Sequence, residues 1–105
     1  MELTPHEAAE RVAAGDAELI DVREAYEFDA GRIEGSRHVP LTELAEFAQT
    51  IDPARPVVFV CRVGGRSAMA TDAFRQAGFD AYNLAGGVLA WERSGLPFTG
   101  SVADH

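Results

Sequence analysis

The sequence lacks several features that mark whole classes of protein. Its 105 residues include no lysine and a single cysteine, Cys61. One cysteine cannot form an internal disulfide or a zinc site built on cysteine pairs, and the three histidines stand far apart, so we expect no metal and no cofactor. No apolar run approaches the ~20 residues that a membrane span needs, and the first residues lack the basic start and apolar segment of a signal peptide. We therefore expect one cytoplasmic globular domain that does not contact a membrane.

The charge is strongly one-sided. The formal net charge is -8 at pH 7, and all nine basic residues are arginines. Nucleic-acid binding depends on basic side chains that neutralise phosphates, so this balance argues against nucleic acid as a partner. Against the acidic background, residues 57–71 include no acidic side chain and carry Arg62 and Arg66. This local positive charge makes the segment a candidate for binding an anion.

Helix and strand patterns alternate along the chain. Thr4 and Glu7 form a capping box ahead of a helix predicted over 5–14. The run PVVFVC, which ends at Cys61, is continuously apolar, as is typical of a strand covered on both faces of a parallel sheet. The fold class is therefore α/β with an open, mainly parallel sheet. Further strands are predicted at 17–22, 36–40 and 80–84, further helices at 24–31, 41–48, 67–77 and 86–95, and one domain over 1–98 followed by a C-terminal tail over 99–105.

The loop after this strand has the composition of an anion-binding site. Cys61 lies at the carboxyl end of the strand, the edge at which ligands bind in open parallel sheets. The glycine pair that follows allows successive backbone N–H groups to turn inward around an anion. Ser67 is predicted first to cap the next helix and second to donate to the sulfur. The N-terminus of that helix and the two nearby arginines should lower the pKa of the thiol. The predicted anion-binding loop comprises Arg62, Val63, Gly64, Gly65, Arg66 and Ser67.

Cys61 also has a simpler interpretation. A lone cysteine that closes an apolar strand is usually a small buried hydrophobic residue without chemistry. The glycine pair, the two arginines and the serine that follow favour the reactive alternative. A purely structural turn does not need two cations beside a thiol.

Three segments resemble the signatures of the rhodanese family of sulfurtransferases, in its single-domain form. CRVGGRS, from Cys61, is similar to the family's active-site loop, C-x4-R. IDVREAYEFDAGRIEGSRHVP, from Ile20, is similar to its N-terminal signature, and NLAGGVLAWERSGLP, from Asn83, to its C-terminal signature. Ala25 and Arg32 depart from the proline and histidine that are common in the N-terminal signature, and we interpret both as scaffold positions. The resemblance implies an open parallel five-stranded sheet flanked by helices on both faces.

The resemblance also implies a two-step sulfur transfer. The Cys61 thiolate takes the outer sulfur of a small anionic donor such as thiosulfate, and the resulting persulfide passes it to cyanide, a thiol or a sulfur-accepting protein. Arg66 is expected to shape the loop or hold the donor, and Arg62 to face the mouth of the site. Asp21 and Arg23, at the end of another strand, either support the loop or form an ordinary scaffold ion pair, which we favour.

Three other functions are alternatives to sulfur transfer. Phosphatases and arsenate reductases of related fold have a C-x5-R loop, whose wider ring of amides suits an anion with four oxygens, whereas four residues separate Cys61 from Arg66 here. A non-catalytic rhodanese-like module that binds a partner is the second alternative, although such modules often lose the cysteine. A redox sensor with a sulfenate at Cys61 is the third, and it needs an external thiol because the chain has no second cysteine. The loop length favours sulfur transfer.

Overall fold

The computed structural model describes residues 1–104, and His105, the last residue of the predicted tail, lies outside them. Five parallel strands form one sheet in the order β1-β6-β5-β2-β4, and β3 pairs with β7 in a separate antiparallel ribbon. The predicted α/β class with a five-stranded parallel sheet is therefore confirmed. The strands are β1 (Glu2–Leu3), β2 (Glu18–Asp21), β3 (Gly31–Ile33), β4 (Arg37–His38), β5 (Val57–Val60), β6 (Ala81–Leu84) and β7 (Phe98–Gly100). The helices are α1 (Pro5–Ala13), α2 (Ala25–Ala30), α3 (Leu44–Phe47), α4 (Gly65–Gln76) and α5 (Gly87–Arg93).

The apolar run forms the central strand of the sheet. All four residues of β5 are buried, and β5 pairs with β2 on one side and β6 on the other. Alternate β5 side chains enter two separate apolar clusters, one shared with α3 and α4 and the other with α1 and α5. A strand covered on both faces needs no polar alternation, which is why its sequence is continuously apolar. Cys61 follows directly and so stands at the middle of the carboxyl edge of the sheet.

The first helix begins as its capping signal predicts. The Glu7 backbone N–H donates to Thr4 Oγ1 at 3.2 Å, and the Thr4 N–H donates to Glu7 Oε1 at 2.9 Å. These two bonds satisfy N–H groups that a helix start otherwise leaves without partners. The helix ends at Ala13, one residue before the predicted boundary.

The helix predicted over 41–48 forms only in part. Leu41–Glu43 and Ala48–Thr50 are 3-10 turns, and only the four residues of α3 between them are α-helical. Leu44 is the one buried residue of α3. Short helices in water depend on packing of an apolar face, so a single buried leucine does not sustain the longer helix.

The antiparallel ribbon was not predicted from the sequence. Phe98–Gly100 pairs with Gly31–Ile33, so the first two residues of the predicted tail belong to a strand. Glycine is required at position 31, where the two segments approach closely, because a Cβ there would lie 2.1 Å from the backbone oxygen of Ser101. Strands of three residues are too short for an apolar period to show, and their pairing depends on contacts between distant parts of the chain.

The helices of the described chain, residues 1–104, are all too short or too polar to cross a bilayer.

Candidate active site

The candidate site is built at the point where β5 gives way to α4. Cys61 is 1% exposed, and the loop after it reaches the first residue of α4 at Gly65. Gly64 occupies the cap position of this helix with φ +117°, a left-handed conformation that side chains with a Cβ rarely adopt. The loop therefore turns sharply beneath the sulfur, and its direction depends on glycine at this position.

Three hydrogen-bond donors converge on the sulfur of Cys61. The backbone N–H of Gly64 donates to Sγ at 3.1 Å and that of Ser67 at 3.4 Å. The Ser67 hydroxyl oxygen lies 3.2 Å from the same atom. Burial raises the pKa of the Cys61 thiol, but these three donors, together with the backbone N–H of Arg66, outweigh the effect of burial and hold the pKa below its ordinary value. Because the thiolate is the nucleophilic form, the loop favours a reactive sulfur.

Ser67 does not cap the helix as predicted. It is the third residue of α4, it is fully buried, and Gly64 stands at the cap. Its hydroxyl oxygen is 2.6 Å from Oδ1 of Asn83 on the neighbouring strand β6. The predicted cap is wrong because Gly64, three residues earlier, supplies the left-handed turn that starts the helix, and this places the serine beside the sulfur.

Arg66 is held by Glu27, a residue outside the predicted anion-binding loop. Its two terminal nitrogens donate to both oxygens of Glu27, at 2.6 and 2.9 Å, and the Glu27 side chain is 2% exposed. Hydrogen bonds from Arg66 hold the pKa of the Glu27 carboxyl below its ordinary value despite its burial. Glu27 in turn raises the pKa of the Arg66 guanidinium. The ion pair joins α2 to the first turn of α4 and so holds the end of the loop in place.

Arg62 and Val63 lie toward the surface of the loop. Arg62 is partly buried, and its Nε donates to the backbone oxygen of Ala103 at 2.8 Å. Val63 is 55% exposed. The end of the described chain thus packs beside the loop through a polar contact, although residues 99–105 were predicted as a tail.

Asp21 and Arg23 form a fully buried ion pair at 2.8 Å. Arg23 also donates to the backbone oxygen of Gly31 at 2.7 Å, and His38 Nε2 lies 2.8 Å from the backbone oxygen of Arg23. These contacts tie the end of β2 to the start of β3 and to β4. They therefore position α2, and with it Glu27, and they match the scaffold interpretation of the pair more closely than direct contact with the sulfur loop.

A buried asparagine completes the site. Asn83 is 4% exposed, and its amide nitrogen donates to the backbone oxygen of Gly64 and to Glu2 Oε2, each at 3.1 Å. In the sequence, Asn83 is only the first residue of the segment that resembles the C-terminal signature. A lone asparagine in an apolar strand carries little signal, as does a glutamate in a short helix such as Glu27, because only the fold brings either of them to the loop.

No group of three or more histidine, cysteine, aspartate or glutamate side chains within residues 1–104 is arranged to hold a metal ion.

The chain belongs to the rhodanese-like domain family, whose family model matches residues 4–94. The thiosulfate sulfurtransferase GlpE of Actinobacillus succinogenes is 34% identical over 97 residues, which cover 91% of this chain and 87% of that protein. The HTH-type transcriptional regulator Rv0324 of Mycobacterium tuberculosis is 38% identical over 98 residues, which cover 90% of this chain but 43% of the regulator. The crystal structure of a rhodanese-related protein from Thermoplasma volcanium matches with a TM-score of 0.86 at 26% identity, over 93% of this chain and 96% of that one. The resemblance drawn from the three sequence segments is confirmed.

Proposed function

We propose that the protein is a sulfurtransferase that carries sulfane sulfur on Cys61. In the first step the thiolate Sγ bonds to the outer sulfur of thiosulfate, the S–S bond of the donor breaks, and its electron pair leaves with sulfite. In the second step cyanide or a thiolate attacks the terminal sulfur of the persulfide. Sγ then leaves as a thiolate, and the product is thiocyanate or a new persulfide. Each step exchanges one sulfur bond for another, so no metal, oxidant or reductant is needed.

The convergence of donors on one sulfur atom supports this proposal most directly. Two backbone N–H groups and one hydroxyl lie within 3.4 Å of Cys61 Sγ. Such donors stabilise the thiolate as attacking group in the first step and as leaving group in the second. An inert buried cysteine has no need of them.

The two loop arginines are assigned different roles. Both terminal nitrogens of Arg66 are bound by the Glu27 carboxylate, which largely neutralises its charge. We therefore assign Arg66 to shaping the loop. Arg62 is partly exposed beside the loop, and we assign it to attracting the anionic donor. Of the two roles predicted for Arg66, shaping the loop and holding the donor, we therefore propose the first.

A second candidate rests on the similarity to a transcriptional regulator. The similarity to such a protein is compatible with a domain that binds sulfur on its cysteine and signals this state to a partner protein, without catalysing repeated sulfur transfer. Phosphate-ester hydrolysis is disfavoured, because four residues between Cys61 and Arg66 leave a small ring of amides.

Steady-state thiocyanate formation tests the proposal. The wild-type protein is mixed with cyanide and with thiosulfate, mercaptopyruvate or a glutathione persulfide in turn, and aryl phosphate hydrolysis is measured in parallel. We expect turnover with at least one sulfur donor, loss of it in Cys61→Ser, and no phosphatase activity. Phosphate-ester hydrolysis that depends on Cys61, or sulfur transfer that survives Cys61→Ser, contradicts the proposal. A gain of one sulfur atom in the mass of the intact protein, without thiocyanate formation, supports the second candidate, a module that signals to a partner protein.

A further inference from the structure

The Ser67 hydroxyl has one proton but lies close to two possible acceptor atoms. Its oxygen lies 2.6 Å from Asn83 Oδ1 and 3.2 Å from Cys61 Sγ. A serine hydroxyl has a single O–H donor, so it cannot donate to both atoms at once. The state of the sulfur and the strength of the asparagine oxygen as an acceptor must together decide where this proton points.

The surrounding bonds fix the orientation of Asn83. Its amide nitrogen lies 3.1 Å from the backbone oxygen of Gly64 and 3.1 Å from a carboxylate oxygen of Glu2, and both of these atoms only accept hydrogen bonds. The nitrogen must therefore face them, and the carbonyl oxygen Oδ1 must face Ser67. Oδ1 is the nearer acceptor and a stronger one than a neutral sulfur, so the proton points to Asn83 whenever Sγ is a thiol or the inner sulfur of a persulfide.

We infer that Asn83 is a positioning residue that holds the Ser67 hydroxyl proton while Sγ is neutral and yields it to Sγ when the thiolate forms. The catalytic meaning of this exchange rests on the proposed sulfur transfer. On loading, Sγ turns from thiolate to neutral inner sulfur, and the hydroxyl turns back to Asn83. On unloading, the S–S bond breaks, Sγ takes the electron pair, and the hydroxyl turns to donate to it. No proton leaves the serine in either direction.

The exchange has a measurable energetic consequence. Formation of the thiolate requires the hydroxyl to give up its bond to Asn83, so the asparagine opposes ionisation of Cys61. Removing Oδ1 frees the proton for the sulfur and makes the thiol more acidic. Removing the hydroxyl instead makes the thiol less acidic and abolishes any influence of Asn83 through this route. The two residues are therefore coupled, and a double-mutant cycle measures their coupling.

The pH dependence of Cys61 alkylation by iodoacetamide tests the inference in four proteins: wild type, Asn83→Leu, Ser67→Ala and the double variant. We expect Asn83→Leu to move the midpoint to lower pH and to raise the rate on the acid side by about threefold to tenfold, because ionisation of Cys61 no longer breaks the neutral hydrogen bond between Ser67 and Asn83. In the Ser67→Ala background the same change should leave the midpoint in place. An equal shift in both backgrounds, no shift, or a shift to higher pH overturns the inference.

A second measurement covers the case in which Asn83→Leu does not fold. The side-chain amide signal of Asn83 in a nitrogen–proton correlation spectrum should move with the ionisation of Cys61 in the wild-type protein and stay in place in Ser67→Ala. An Asn83 signal that ignores the titration, or that moves equally in both proteins, overturns the inference. Neither experiment requires a sulfur donor, so failure of the proposed sulfur transfer would leave both readouts intact and would be detected separately.

Discussion

Replacing Glu27 with glutamine is the sharpest test of how the loop is held. The substitution keeps the size of the side chain but removes the charge that binds the fork of Arg66 at 2.6 and 2.9 Å. Glutamine retains one acceptor oxygen, so one of the two bonds survives in weaker form, and the other becomes a clash of two donors. A matched control is Asp29→Asn, which removes the same charge from an exposed position on the same helix.

The expected cost follows from the burial of the two partners. A hydrogen bond to a charged group contributes about 1.5–3 kcal/mol. The Arg66 side chain is 38% exposed, so water can replace part of the hydrogen bonding that Arg66 loses, whereas the Glu27 side chain is buried. We expect Glu27→Gln to lower the free energy of unfolding by about 1–2 kcal/mol after this discount. In a domain of this size that corresponds to a fall in Tm of roughly 4–15 °C.

Urea unfolding and the steady-state sulfur-transfer assay measure the two effects. Because Arg66 lies in the first turn of α4, we also expect kcat/KM to fall by about tenfold or more as the loop loses its shape. Asp29→Asn should change the free energy of unfolding by less than about 0.5 kcal/mol. If the two variants are equally stable and equally active, Glu27 does not hold the loop, and the role assigned to the ion pair is wrong.

Three further predictions concern glycine, pH and donor binding. Gly64→Ala should cost about 1–2 kcal/mol of folding stability in thermal unfolding because of its positive φ, whereas Gly65→Ala, in the first turn of α4 with open space around it, should not destabilise. Arg66 holds the pKa of the Glu27 carboxyl below the ordinary value of a glutamate, so its contribution to stability is present above that ordinary pKa and is lost as the pH falls through the lowered pKa. Glu27→Gln should therefore show a shallower acid dependence in urea titrations. Arg62→Ala should raise KM for thiosulfate by about tenfold, the loss expected for one charge-assisted contact, while Arg93→Ala, an exposed arginine of α5, should leave KM unchanged. An unchanged KM in Arg62→Ala would remove that arginine from the donor site.

Much of the fold follows from local patterns in the sequence. The continuous apolar run predicted a strand that is buried on both faces, and the Thr4–Glu7 capping box predicted the start of the first helix. Both signals are local, since they depend on neighbouring residues and on burial alone. The ribbon of β3 and β7 depends on pairing between segments more than 60 residues apart, for which three-residue strands leave no periodic signal.

The site divides in the same way. Cys61, the glycines and the arginines lie in one short segment, so the sequence alone brings them together. Glu27 and Asn83 come from α2 and β6, and only the parallel sheet places them beside the loop. Ser67 was predicted first as the helix cap, which is wrong because the left-handed Gly64 starts the helix before it. Its second predicted role, as a donor to the sulfur, agrees with the distance of 3.2 Å between its hydroxyl oxygen and Cys61 Sγ. Local composition thus identifies the candidate nucleophile, whereas its electrostatic setting depends on the tertiary fold.

Intact-protein mass spectrometry after incubation with thiosulfate tests the central claim most directly. We predict that the wild-type mass rises by one sulfur atom, that cyanide removes the added sulfur, and that Cys61→Ser shows no gain. A wild-type mass that stays unchanged with thiosulfate and with the other sulfur donors, or an equal gain in Cys61→Ser, would contradict sulfur transfer through Cys61.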